Sequence, residues 1–101
     1  MTATGSPTSV AETLAAGSVA LRAEEIPAAV RARCEDLLID VAGLCVAARH
    51  ANYIAALKNG LDAGGPCSAL GHAGSFRPGD AALLNGTAAH GEDFDDTFEG
   101  G

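Results

Sequence analysis

Residues 30–48 read VRARCEDLLIDVAGLCVAA, and their periodicity decides the fold class. Val30, Cys34, Leu37, Leu38, Val41, Leu44 and Cys45 recur at i, i+4, i+7, i+8 and i+11, which aligns them along one face of an α-helix. Arg31, Arg33, Glu35 and Asp36 fall mostly off that stripe. The helix is expected to start through Glu24-Glu25-Ile26-Pro27, with the proline at its first position and the acids complementing the helix dipole. It is expected to end near Ala48 or Arg49. Asp40 interrupts the apolar stretch LLIDVAGL; a carboxylate buried there must find donors or lose its charge. Its expected role is to cap a neighbouring helix or accept backbone amide hydrogens. Gly43, one turn later, suggests that another helix approaches closely.

Upstream, Ser9-Val10-Ala11-Glu12 fits the capping-box pattern, so an apolar helix should run from there to about Leu21. Residues 1–8 are polar and are expected to be disordered. Downstream, a short helix around Tyr53 to Lys58 should stop at Asn59-Gly60 in a left-handed cap. From Asp62 to Arg77 the chain is glycine-rich and reads as a long loop, with a short extended piece at Ser68-Ala69-Leu70. Pro78 then opens a fourth helix with Asp80 in its first turn. Nothing repeats and no βαβ alternation is visible. The class is all-α, about four helices with a Gly-rich loop before the last.

Composition narrows the function. Hydrophobic residues make up 48% of the 101 positions, but aromatics only 4%, so the core must be built from Ala, Leu, Val and Ile. Such side chains bury little area each, at roughly 25 cal/mol per Å², and a partner chain is expected to help. The net charge is −7, with five of thirteen acids (Glu92, Asp93, Asp95, Asp96 and Glu99) in the last ten positions and all six basic residues before Pro78. With no Lys/Arg cluster in the sequence, nucleic acid is not the expected partner. No apolar run approaches the roughly 20 residues of a membrane span. The opening MTATGSPTS lacks the regions of a signal peptide, and the expected location is cytoplasmic. Cys34, Cys45 and Cys67 have no CxxC spacing. Cys34 and Cys45 share a helix but are about 16 Å apart along it, too far to bridge. All three read as small buried apolar residues in a reducing compartment.

The chemistry gathers in residues 85–101, NGTAAHGEDFDDTFEGG. If the fourth helix continues through them, Leu83, Gly86, Thr87, His90, Asp93, Phe94 and Thr97 fall on one face, with Glu92, Asp95 and Asp96 pointing elsewhere. Gly86 and Gly91 weaken such a helix by about 1 kcal/mol each, suggesting close packing or a substrate lying against the backbone. Three readings are open on these grounds. One is a solvated acidic helix end, which opposes the dipole. A second is Mg²⁺ binding by the DDxxE pattern of Asp95, Asp96 and Glu99; no second acidic cluster accompanies it, and the ligand alternation of an EF-hand is missing. The third is acid–base work on a carboxylate substrate, whose charge would raise a facing carboxyl's pKa so that it can hold or donate a proton.

The segment AALLNGTAAHGEDFDDT, Ala81 to Thr97, resembles the most distinctive N-terminal motif of the MmgE/PrpD family, which includes 2-methylcitrate dehydratase, cis-aconitate decarboxylase and an iminodisuccinate epimerase. Ile26-Pro27-Ala28-Ala29-Val30, Cys34 to Leu38 with Asp40 and Gly43, and the loop SALGHAG are similar to the family as well. The resemblance runs from about Val10 onward. It implies the N-terminal portion of a helical domain, joined in full-length members by a smaller α+β lid, usually in homodimers. It implies proton transfer beside the carboxylates of a small di- or tricarboxylic acid, with no cofactor and no metal. Carried over by position, Asp93 is the catalytic residue and Thr97 binds substrate. His90 either lines the same pocket or makes a structural hydrogen bond, while Asp95 and Asp96 cap or bridge helices. Phe98-Glu99-Gly100-Gly101 departs from members with a histidine after the threonine and looks more like the epimerase-related branch. The family's remaining histidines, its carboxylate-binding cations and its lid have no counterpart in the sequence. Residues 9–101 are therefore expected to be an incomplete helical domain, an N-terminal fragment without activity of its own. The alternative is a non-catalytic helical interaction module.

Overall fold

The computed structural model describes residues 5–62, 64–94 and 97. Four α-helices follow one another, α1 (Val10–Ala20), α2 (Ala28–Ala47), α3 (Asn52–Asn59) and α4 (Pro78–His90), and the described residues contain no strand beyond one isolated bridge. The all-α expectation holds. The chain divides into two compact units, residues 1–32 and 33–101.

In the first unit the capping box forms as the sequence dictates. Ser9 Oγ accepts from the Glu12 amide at 3.1 Å and Glu12 Oε2 accepts from the Ser9 amide at 2.7 Å, satisfying two amides that the helix start leaves without partners. After α1, Ala23–Glu25 make a 3₁₀ turn, so Glu24 and Glu25 precede α2 instead of forming its first turn. The Arg22 guanidinium pairs with Glu24 at 2.7 Å, and Arg31 donates to the Ala23 carbonyl. Pro27 stands immediately before the first helical residue, its carbonyl accepting from the Arg31 amide at 3.0 Å.

The second unit holds the core: Cys45, Ala48, Ile54, Ala69, Phe76, Ala81, Leu84 and Ala88. It draws on the end of α2, α3, the long loop and the inner face of α4. Alanines dominate it, as the composition suggested, and Phe76 is its single aromatic. The amphipathic stripe of α2 is a correction. Only Cys45 of that helix is buried; Leu37 and Leu44 are half-buried, and Val30, Cys34, Leu38 and Val41 are exposed. Periodicity predicted the helix correctly, but it names no partner for the stripe. Asp40 is exposed too, so no burial has to be compensated there, and nothing lies within 4 Å of the position a Gly43 side chain would take.

α2 unwinds through Ala48–His50, where the Ala51 amide donates to the Ala48 carbonyl at 2.9 Å. α3 stops at Gly60, but in a right-handed conformation (φ −85°) and not the left-handed cap expected. Its closing bonds, Gly60 N–H to Leu57 and Leu61 N–H to Lys58, are short-range and require no left-handed residue. The loop's extended contact is Cys67 with Phe76, an antiparallel pair exchanging hydrogen bonds of 3.0 and 2.8 Å, rather than Ser68 to Leu70. Gly65 makes that return possible: with φ +137°, a side chain there would sit 2.3 Å from the Phe76 backbone. Asn85 of α4 ties the loop down, its Oδ1 accepting from the Leu70 amide at 2.8 Å and its Nδ2 donating to the Ser68 carbonyl at 3.4 Å. Arg77, before α4, pairs with Asp62 at 2.8 Å and Asp80 at 3.5 Å.

Of the cysteines, all unbridged, Cys45 is buried, Cys67 half-buried and Cys34 exposed. Cys34 thus departs from the buried reading because it belongs to the uncovered part of the α2 stripe. Cys45 donates its thiol hydrogen to the Asn85 carbonyl at 3.3 Å, and burial pushes its pKa up.

Candidate functional site

Ala81, Leu84 and Ala88 face the core from α4, one helical turn apart in pairs or a near multiple of it. The opposite side is open. Leu83, Gly86, Thr87 and His90, four members of the face inferred from spacing, line an open groove of about 360 Å³ together with Ala82 and Gly91. Gly86 leaves open space there, so of the two glycines only Gly91 reflects close packing.

The rest of that inferred face does not form, because α4 ends at His90. A side chain on Gly91 would lie 2.5–2.7 Å from the ring and hydroxyl of Tyr53, so α3 packs against the backbone at this point. The Gly91 amide still donates to Thr87 at 2.8 Å, and the Asp93 amide then closes a tighter turn onto His90 at 2.9 Å. Asp93 takes φ +56°, alone among the described non-glycine residues. Aspartate tolerates this left-handed conformation better than most side chains, and it turns the chain away from the helix axis. His90, Asp93 and Thr97 therefore share no helical face; all three are exposed.

The turn carries Glu92 and Phe94 to another groove, about 330 Å³, walled by Leu44, Ala48, Ala51 and Ala88, with His50 at its polar side. Glu92 accepts from the Tyr53 hydroxyl at 3.1 Å. Burial and the adjacent Glu92 carboxylate push the Tyr53 phenol above its ordinary range. Asp95, Asp96 and Glu99, the residues of the DDxxE reading, lie outside the described residues, as do Phe98, Gly100 and Gly101. Among the described residues, no three His, Cys, Asp or Glu side chains converge as a metal site would require. No single helix among them is long and apolar enough to cross a membrane.

Sequence reasoning singled out Asp93, Thr97 and His90 but missed Tyr53, which packs on Gly91 and bonds Glu92, and Asn85, which pins the Ser68–Leu70 loop against α4. Asn85 lies inside the AALLNG stretch, yet only the fold reveals what its amide binds.

Among the described residues the architecture is all-α, its fourth helix ending in a turn with Asp93 at positive φ. The family model of the MmgE/PrpD N-terminal domain matches residues 12–101, and the chain belongs to the MmgE/PrpD family. No curated protein and no solved structure matches it.

Proposed function

We propose that this chain supplies one wall of a metal-free carboxylate site in a lyase or isomerase acting on a small di- or tricarboxylate, with 2-methylcitrate dehydratase-like proton transfer as the leading chemistry and iminodisuccinate epimerization as the alternative. Family membership supports the general reading, and the observation that carries it to a residue is the backbone of Asp93. A non-glycine residue held at positive φ is the kind of local strain that concentrates at functional sites. In this reading Asp93 holds or moves the proton, Thr97 hydrogen-bonds a substrate oxygen, and His90 borders the pocket from the end of α4. The groove lined by the neighbours of Asp93, Glu92 and Phe94, holds His50 and apolar side chains but no lysine or arginine. With no such cation in that groove, the 101-residue chain alone should turn over none of these substrates.

Binding tests the wall separately from turnover. Titrating the labelled chain with 2-methylcitrate, cis-aconitate and iminodisuccinate should shift the amide resonances of His90, Asp93 and Thr97, with Thr97→Val and Asp93→Asn reducing the response. Shifts elsewhere only, or an unchanged response in both variants, would sink the assignment.

A second reading, a helical interaction module assembling with a second copy, is favoured by the exposed apolar side chains Leu38 and Ile39, 70% and 72% accessible. A strictly monomeric sedimentation profile at high concentration, unchanged by Leu38→Lys, would exclude it.

A further inference from the structure

The sequence contains no run of basic residues, yet the fold collects four basic side chains in one place. Arg49 and His50 stand in the turn after α2, Lys58 in the last turn of α3, and His72 in the loop beyond; with Ala55, Asn59, Gly71 and Ala73 they line an open groove of about 450 Å³. No aspartate or glutamate lines it, although the chain carries thirteen acids against six Lys and Arg. Elsewhere cations do find acids: Arg22 pairs with Glu24, and Arg77 with Asp62 and Asp80. Arg49 instead donates to the Val46 carbonyl at 2.6 Å, leaving its remaining N–H groups without a carboxylate among the described residues.

Two features fix the arrangement. Gly71, at φ +85°, lets the loop pass against the Arg49 stem; a side chain there would lie 3.1 Å from Arg49 Cβ and 3.2 Å from Cδ. The His72 amide donates to Ala69 at 3.1 Å, closing the turn that brings its ring to the groove. Lys58 and His72 are both half-buried. Like charges gathered in a partly desolvated groove repel one another, and the arrangement is relieved by a bound anion.

We propose that the groove between the α2–α3 turn, the end of α3 and the Gly71–Ala73 loop binds a small multivalent oxyanion, a phosphate or polycarboxylate group, through Arg49, Lys58, His72 and His50. Arg49 supplies a planar fork suited to two oxygens, Lys58 a mobile point charge, and the imidazoles neutral or charged donors. His50 also borders the groove that holds Phe94, so an anion seated here lies next to the acidic turn. The site stands independently of the assignment to Asp93. Burial, with Lys58, His50 and Arg49 facing it, depresses the His72 pKa; an anion among these groups must push it back up.

The test follows the imidazole resonances of His72 by NMR in the 101-residue chain, from about pH 5 to 8, with inorganic phosphate or citrate added against sodium chloride at equal ionic strength. A saturable response is expected, with the His72 midpoint moving upward and the Arg49 and Lys58 side-chain signals shifting together. Lys58→Gln and Arg49→Gln should each weaken binding about tenfold, the loss of one charge-assisted hydrogen bond, while Lys58→Arg retains it. Unchanged amide spectra outside the groove establish that each variant is folded. Saturation by phosphate alone identifies a phosphoryl ligand, and by citrate alone a carboxylate. A response no larger than chloride produces, or equal affinity in both Gln variants, overturns the proposal.

Discussion

Replacing Gly91 by alanine sets two terms of opposite sign against each other. Gly91 has helical dihedrals, φ −58° and ψ −32°, so alanine fits the backbone and by propensity should stabilise this helix end by up to ~1 kcal/mol. Its methyl group, however, would lie 2.5 Å from Tyr53 Oη and 2.6–2.7 Å from two ring carbons, about 1 Å inside ordinary contact. The ring must swing away, giving up its packing and its bond to Glu92. Overpacking of this kind costs about 1–3 kcal/mol, so Gly91→Ala should be destabilising by roughly 1–2 kcal/mol net. The decisive comparison is the same substitution in a Tyr53→Ala background: with the ring gone only propensity remains, and the sign should reverse. Urea denaturation followed by circular dichroism gives the four stabilities of the cycle. Tyr53 is the sole tyrosine and there is no tryptophan, so intrinsic emission and phenol absorbance report on this one contact. In Gly91→Ala the phenol should titrate closer to its ordinary 10.0, having left Glu92 and its shelter. If the two substitutions prove additive, or if Gly91→Ala stabilises the protein with Tyr53 unmoved, this account of why α4 ends is wrong.

Other substitutions separate further causes. Gly65→Ala should cost several kcal/mol and abolish the Cys67–Phe76 pairing, since its methyl meets backbone at 2.3 Å. Gly74→Ala, also at positive φ but facing open space, should lose only the ~1–2 kcal/mol of the left-handed conformation; thermal melts rank the two. Leu84→Ala, 1% exposed, should destabilise by about 3 kcal/mol, while Leu83→Ala, 49% exposed, should stay within about 1, as denaturant midpoints will tell. For α1, hydrogen bonds from the Ser9 backbone and side chain hold the Glu12 carboxyl below its usual 4.5. A depressed folded-state pKa stabilises above the unfolded value and loses that contribution as pH falls through the folded one. Helicity of α1 should therefore decline in acid below pH 4.5, and Ser9→Ala should flatten the decline in site-resolved NMR.

What could be read from the sequence was what is encoded locally. The Ser9–Glu12 box, Pro78 at the start of α4 and the apolar repeat of α2 are short-range patterns, and each produced its helix. The end of α4 could not be read in the same way. Periodicity carried the helix on to Thr97, whereas Gly91 meets Tyr53 from α3, a contact between distant segments that no local spacing records. The stripe of α2 gave the helix without its cover, and Asp40 looked anomalous only on the assumption that the stripe was buried. Asp93 and Thr97 came from the motif, while the Arg49–Lys58–His72 groove is invisible in a sequence that scatters its members across three elements.

The hydrogen bond from Cys45 to the Asn85 carbonyl has a practical corollary. Thiol reagents attack the thiolate, and burial with a raised pKa suppresses it. The three cysteines, exposed, half-buried and buried in the order Cys34, Cys67, Cys45, thus form a depth gauge. Under a mild alkylating reagent Cys34 registers bulk solvent, Cys67 the parting of the loop, and Cys45 the separation of α2 from α4. Their modification rates, read on one intact mass spectrum, rank these openings without any introduced label.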